Sequence, residues 1–480
     1  MTLEHKSRTR RIWLAIGLGL LLLIGLLAGA LRYVVDAGIF KERLETGASR
    51  ALGMELRIGG ALHLALRPGL ALTLDDVHLH NRGVEVATAK QATLGVDALA
   101  LLSGDVHVNR LALNEPQLHI ERGTDGRFST APLDAAATLL PELSWPTVEI
   151  SGGSFTYADK RWARSFEAVD CRIDMHGLHL PAAALSNLMK DVSFTADVVC
   201  GEVRHDTVKV SDLKFTTDAQ HGVLELKSLT ARAFDAEGTG RLRADFSGVV
   251  PSYRLDLAFK QLPIDEVFKA LSAQPTAAGR VDFSAALSTQ GQTENELRQA
   301  LAGRVTLRGR NLTLKGRDLD EMLSRFESSQ RFSLVDAGAF FFVGPLGLVL
   351  TKGLDFANVY RSQGGSSDIQ TLVSDWKFER GVARAQDVAM ATKKYRIALR
   401  GELDLVQQRF DGVSLALVDA QGCIEVQQRV SGSFQKPVVE EPNVLRSLAG
   451  PALSLLKKAR ELLPGSSCEV FYAGAVVAPA

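Results

Sequence analysis

Net charge is the first thing this sequence does without. Its 55 lysines and arginines balance 55 aspartates and glutamates, and the pI is near 7.2. A nucleic-acid binder carries a basic stripe or a pI above about 9, so that class is excluded. Disorder is not the default, because 23% charged and 46% apolar residues are ordinary for a folded body.

Catalytic signatures are missing too. The body holds no Gly-x-Ser-x-Gly elbow, Walker A loop, His-Glu-x-x-His pair or Rossmann glycine pattern. The one metal-like group is Asp76, His78 and His80, with both histidines on one face of an expected strand. A zinc site needs three or four ligands, and nothing nearby in sequence completes this set. His176-x-x-His179 falls in an expected loop, and Asp318 and Asp320 read as helix-capping residues. The expectation is a protein that is not an enzyme and holds neither metal nor cofactor. Cysteine is scarce: Cys171, Cys200, Cys423 and Cys468 are the whole set, and none forms a C-x-x-C pair. That argues against a zinc ribbon and a thioredoxin site. In an oxidising compartment Cys171–Cys200 and Cys423–Cys468 are the natural bridges, each within one stretch of chain. Three connectivities, and four free thiols, stay open at this point.

Long apolar runs are limited to one. Ile12 to Leu31 carries no charge, and twenty residues at about 1.5 Å each span the roughly 30 Å core of a bilayer. Lys6, Arg8, Arg10 and Arg11 precede the run, which points to a cytoplasmic N-terminus and a body on the far side. A cleaved signal peptide is the rival reading, and Ala28-Gly29-Ala30 resembles a cleavage site. The apolar region of a signal peptide is usually about 7–15 residues, however, so an anchor is the expectation. The division follows: a tail at 1–11, an anchor at 12–35, and body regions at 36–130, 131–300 and 301–480.

The body reads as mainly β, because its dominant period is two. Leu70, Leu72 and Leu74 alternate, Asp75-Asp76 shifts the phase, and Val77 and Leu79 resume it. Val84 and Val86, Val106 and Val108, Leu111 and Leu113 continue the pattern. So do Phe194, Ala196 and Val198, then Leu255 and Leu257, then Val305, Leu307, Leu312 and Leu314. Asn81-Arg82-Gly83, Ser151-Gly152-Gly153 and Arg380-Gly381 divide strands, and their spacing predicts an antiparallel meander. Few helices are expected: Pro263–Leu271, Glu294–Leu301 capped by Thr293, Asp318–Phe326, and an amphipathic Asn443–Leu463 near the C-terminus. The last is read as a plug for one end of the sheet, with a membrane-surface role as the alternative.

Several short blocks follow one another in a set order. In the N-terminal half these are Gly53-Met54-Glu55-Leu56, Leu66-Arg67-Pro68, Leu101-Leu102-Ser103-Gly104-Asp105-Val106, Asn114-Glu115-Pro116 and Asp125-Gly126-Arg127-Phe128. In the C-terminal half they are Leu301-Ala302-Gly303, Leu314-Lys315-Gly316-Arg317-Asp318-Leu319, Gly401-Glu402-Leu403-Asp404-Leu405 and Gly432-Ser433-Phe434-Gln435-Lys436-Pro437. Their order and number resemble the AsmA family. The resemblance implies a single-pass inner-membrane protein of Gram-negative bacteria with its large domain in the periplasm. It also implies a long, curled, mostly antiparallel sheet related to bridge-like lipid carriers, and a part in phospholipid transport and outer-membrane biogenesis. This chain departs from such bridges in being short: on the order of 20 strands at about 4.8 Å each give roughly 100 Å, so a complete conduit is not implied.

The alternation supports the same reading on physical grounds. A sheet apolar on one face, with few helices to cover it, either packs against itself or shelters acyl chains in a groove. Leu70, Leu72, Leu74, Val106, Val108, Leu111 and Leu113 are the candidate groove lining. The expected partners are membrane lipids through their acyl chains, the inner membrane and envelope proteins, with no nucleic acid. The alternative function is a scaffold or assembly factor for outer-membrane proteins that binds protein rather than lipid.

Overall fold

The computed structural model describes residues 39–479 except 66–69, 98–107, 126–127, 130–142, 162–163, 182–187, 207, 272–276, 317, 322, 325–364, 441–442, 445–467 and 469. The expected anchor, Val106 and all but the first two residues of the expected C-terminal helix lie outside the described residues. Among the described residues no helix is long and apolar enough to cross a membrane. The chain is mainly β and mostly antiparallel, with few helices. It divides into two compact units, Met1–Asp206 with Ala219–His221 and Thr207–Asp218 with Gly222–Ala480.

The first unit starts with helix α1 (Ile39–Leu52), followed by strands β1 (Glu55–Ile58), β2 (Leu62–Ala65), β3 (Leu70–Asn81) and β4 (Val84–Val96). Then come β5 (Val108–Arg122), β6 (Leu143–Asp159), β7 (Arg164–Leu180), one helical turn α2 (Leu188–Asp191) and β8 (Ser193–His205). Strands β1 and β2 pair end to end with β3. The order continues β3–β4–β5 and β6–β7–β8, all antiparallel. One pair departs from the expected meander: β5 and β6 run parallel. Parallel neighbours need a crossover of a dozen or more residues, and the interval 123–142 supplies that length. The β3–β4 hairpin turns on Arg82 and Gly83, which take left-handed φ values of 53° and 77°. Those values suit the tight turn whose twist matches that of the flanking strands.

The phase shift at Asp75-Asp76 has a physical cause. Asp76 takes a left-handed φ of 58°, as do Glu115 at 49°, Gly152 at 64° and Asp170 at 53°. Pairing sets Lys90 opposite both Asp76 and Glu115, and sets Glu115 level with Gly152. Lys90 and Glu115 form an ion pair at 2.8 Å there. These residues form a transverse crease. At each one the alternation inverts, so that Leu74 and Val77, or Leu113 and Pro116, serve the same face. Such positions cost an ordinary side chain about 1–2 kcal/mol, and short polar side chains and glycine tolerate them best.

The second unit holds β9 (Val208–Gln220) up to Asp218, β10 (Val223–Ala233), β11 (Ala236–Asp245), β12 (Ser252–Pro263), helix α3 (Ile264–Leu271), β13 (Ala277–Ala278) and β14 (Arg280–Gln290). It continues with α4 (Glu294–Gln299), β15 (Ala302–Lys315), β16 (Ser366–Glu379), β17 (Val382–Ala391), β18 (Arg396–Asp404) and β19 (Arg409–Val418). It ends with β20 (Ile424–Ser433), β21 (Lys436–Val439) and β22 (Asn443–Val444). Pairing is antiparallel from β10 through β12, β14 and β15 to β20, which carries β21 and β22 side by side along its length.

Its core gathers on one face. Val305, Leu307, Leu312, Ile369, Trp376, Phe378, Ile397, Leu399 and Leu415 are buried there. Helix α3 adds Ile264, Val267 and Phe268, and the helical residues Leu319 and Leu323 close over the same cluster. These are the apolar positions that the sequence pattern assigns to the two helices. Thr293 caps α4 as expected, its hydroxyl accepting from the Glu296 amide at 3.3 Å. Asn443 and Val444, expected to open a helix, instead pair as a strand with Gln427 and Val426. A local apolar period cannot register the backbone partner that β20 offers.

The opposite face of β16–β19 is covered by the chain's own end. Val373, Ala389, Ala391, Ala398, Ala416 and Val418 form a bed of small side chains under Phe471, Tyr472 and Val476. Buried Arg396 anchors this strap: its guanidinium donates to the carbonyls of Val476, Asp419 and Ala420 and lies over the Tyr472 ring. Tyr472 donates to Asp387 at 2.5 Å, and burial and that carboxylate raise its phenol well above the usual range. Gly422 accepts from the amides of Phe471 and Tyr472, at a position where a side chain would collide with the Tyr472 carbonyl.

Candidate functional site

The candidate site is the apolar face of the first unit, and strand register builds it. One row across the strands reads Leu62, Leu74, Ala92, Leu113, Ile150, Ile173 and Val198. The adjacent row reads Leu64, Leu72, Leu94, Leu111, Val148, Met175 and Ala196. Every position is apolar. Register partners share a face, so the two rows make one hydrocarbon surface. On the reverse face the intervening row is His63, Thr73, Thr93, Ala112, Glu149, Asp174 and Asp197. The sheet is therefore two-sided in the sense that antiparallel sheets allow.

Coverage varies along the rows. Leu62, Leu72, Leu74 and Ala92 are buried with Ile58, and Leu44 of α1 packs against them. Leu94, Leu111, Ile150, Ile173, Met175 and Val198 are only half-buried and join no buried cluster among the described residues. Of the lining positions expected from sequence, Leu72 and Leu74 thus belong to a filled core, half-buried Leu113 packs against it, and Leu111 belongs to the half-exposed part. Leu70 and Val108 align through Val96 as a third, half-buried row. The sequence reading missed Ile150, Ile173, Met175 and Val198 on this surface. Ile173 and Met175 carry the same period-two signal as Leu111 and Leu113, in a stretch from Arg164 to Leu180 rich in charge and histidine.

Helix α1 closes the edge of this sheet with side chains. The Ser49 hydroxyl accepts from the Leu56 amide at 2.8 Å, and Glu45 accepts from the Ile58 amide at 2.7 Å. Lys41 donates to the Gly60 carbonyl at 3.3 Å. Helix residues four apart rise about 6.0 Å, and strand residues two apart about 6.6 Å, so the ladder fits. A basin of about 1250 Å³ lies between α1 and the β3–β4 turn, lined among others by Arg50, Arg57, His78, His80 and Glu85. His78 contacts Glu85 at 2.7 Å and Asp76 at 3.0 Å, and these carboxylates, Glu85 first, raise its pKa above 6.5. No group of three or more ligating side chains fit for a metal occurs among the described residues.

The Cys171–Cys200 pair adjoins the rows, two residues from Ile173 and Val198, and Cys423 and Cys468 belong to the second unit. Cys171 and Cys200 are bonded directly across β7 and β8, with Cα atoms 4.0 Å apart, and both are buried. Cys423 and Cys468 are bonded with Cα atoms 5.8 Å apart and hold the C-terminal strap at its start.

The model of the AsmA family matches residues 6–138 and 154–388, well over half of the sequence. No curated protein and no solved structure matches the chain. With that match spanning both units, the chain belongs to the AsmA family.

Proposed function

We propose that the chain is a non-enzymatic, single-pass inner-membrane protein whose body stands in the periplasm and binds lipid acyl chains along its sheet, supporting phospholipid transport and outer-membrane biogenesis. The observation that carries this reading is the pair of all-apolar rows whose far part leaves Leu94, Leu111, Ile150, Ile173, Met175 and Val198 half-exposed around buried Val148 and Ala196. Apolar surface of that extent gains about 0.8 kcal/mol for each CH₂ laid on it, so an acyl chain is a fitting cover. A curled sheet would make the face a groove, with the headgroup at its open rim. The charged reverse face keeps such a body soluble. Membership in the AsmA family supports an envelope setting.

The test is native mass spectrometry with lipid extraction on the full chain purified from a bacterial envelope. Wild type is expected to carry phospholipid that Leu111→Asp and Ile173→Asp lose while remaining folded. Equal lipid on folded wild type and variants would end this reading.

One observation favours the second reading, a scaffold for envelope proteins. Strand β21 is short, pairs only with β20 among the described residues, and exposes Val438 and Val439. Such an edge accepts an added strand. Crosslinking to a discrete envelope protein through β21, with no lipid retained, would favour it.

A further inference from the structure

We infer that the Cys423–Cys468 disulfide is a latch that decides whether the C-terminal strap covers the alanine bed of β16–β19 or leaves it. The strap begins at its bridge: Cys468 stands two residues before Val470, which pairs with Cys423 as an isolated β-bridge. From there the strap is held by scattered bonds and not by a strand ladder, the Val470 carbonyl accepting from Arg400 at 3.3 Å and the Val476 carbonyl from Arg396 at 3.0 Å. The amides of Phe471 and Tyr472 donate to Gly422, that of Ala475 to Asp387 at 3.0 Å, and that of Val476 to the Tyr472 hydroxyl at 2.9 Å. Three side chains, Phe471, Tyr472 and Val476, supply the apolar burial. Against this stands the entropy of ordering the strap backbone, a cost of the same order.

The covalent tie tips that balance. With the bridge closed, docking is a local closure of a few residues. With it open, the covalent path from Val444 to the strap runs through the whole interval 445–467, and the entropy of closing a chain segment rises with its length. Cys468 is half-exposed and Cys423 buried, so attack is directed to the Cys468 sulfur. A dithiol reductant attacks there as a thiolate. The bond to Cys423 breaks, and the Cys423 thiolate takes a proton. The second thiol of the reductant then displaces Cys468, which leaves as a thiolate and is protonated in turn. Two electrons and two protons pass to the bridge, and the reductant ends as a disulfide.

The bed explains what opening exposes. Strand faces on the solvent side are commonly polar, yet here Val373, Ala389, Ala391, Ala398, Ala416 and Val418 are all small and apolar. They fit two aromatic rings, and Arg396 offers its guanidinium to the strap's carbonyl and ring. Freed of the strap, this strip is an apolar patch beside a cation.

Hydrogen exchange on the full chain, read by mass spectrometry, tests the latch. The double variant Cys423→Ser with Cys468→Ser opens this bridge and leaves Cys171–Cys200 intact. The strap peptide containing Phe471, Tyr472, Ala475 and Val476 is expected to exchange at least about tenfold faster than in wild type, with the core amides of β18 and β19 unchanged. Wild type treated with a dithiol should reach the same rate. Equal protection of the strap with the bridge open would overturn the inference. Should the double variant fail to fold, the reduced wild type is judged by the same criterion.

Discussion

Leu72 and Leu111 stand on one row of the first unit, on either side of Leu94, yet Leu72 is buried and Leu111 only half-buried. Two leucines with the same sequence pattern therefore predict different outcomes. Leu72→Asp places an unpaired carboxylate among Leu62, Leu74 and Ala92 and is expected to cost several kcal/mol of stability. Leu111→Asp should melt within a few degrees of wild type and lose bound lipid. Thermal melts and lipid counts on the two variants, side by side, check both statements.

Stability should depend on His78 in a definite direction. Its folded pKa lies above the usual 6.5 because Glu85 and Asp76 favour the imidazolium; Arg57, its register partner on β1, and His80 also lie close by. A group whose pKa rises on folding contributes fully below its unfolded value and loses that contribution as pH climbs through the folded value. Wild type should therefore lose melting temperature from pH 6 to pH 8 relative to His78→Gln. Parallel curves for the two proteins would remove His78 as the cause.

The α1 ladder makes a local prediction. Glu45→Ala with Ser49→Ala leaves the Ile58 and Leu56 amides without their acceptors, at about 1 kcal/mol each. Exchange at those amides should speed up while β7 and β8 are unaffected. Since β1 pairs only with β3 among the described residues, the same variant should also self-associate more readily, visible by light scattering.

Removing the cross-strand bridge by Cys171→Ser should cost about 3–4 kcal/mol in the chain-entropy description, for a sequence separation of 29. The loss should appear only under non-reducing conditions. With excess dithiol, variant and wild type should melt together.

Much of the architecture was legible where signals are local. Thr293 announces its helix, Asn81-Arg82-Gly83 its hairpin, and the step from Leu74 to Val77 the inverted phase. Signals that depend on a distant partner were not. Nothing near Val108 or Leu143 says that β5 and β6 run parallel, because that choice lies in where the crossover returns. Helix α1 was missed because Leu44 is its one described side chain packed on the core cluster, while its contacts to β1 run through polar Lys41, Glu45 and Ser49. The strap has no period of its own. It is defined by the alanines beneath it, and alanine says little about strand or face.

The crease also acts as a frame marker within the strands. Deleting one residue away from it, such as His78, would not merely shorten β3. It would turn Leu79 toward the charged side and His80 toward the hydrocarbon side, reversing the end of the strand while leaving its composition almost untouched. Strand length in this sheet is thus counted from Asp76, Glu115, Gly152 and Asp170 outward, and insertions should be tolerated in pairs on either side of that line, not singly.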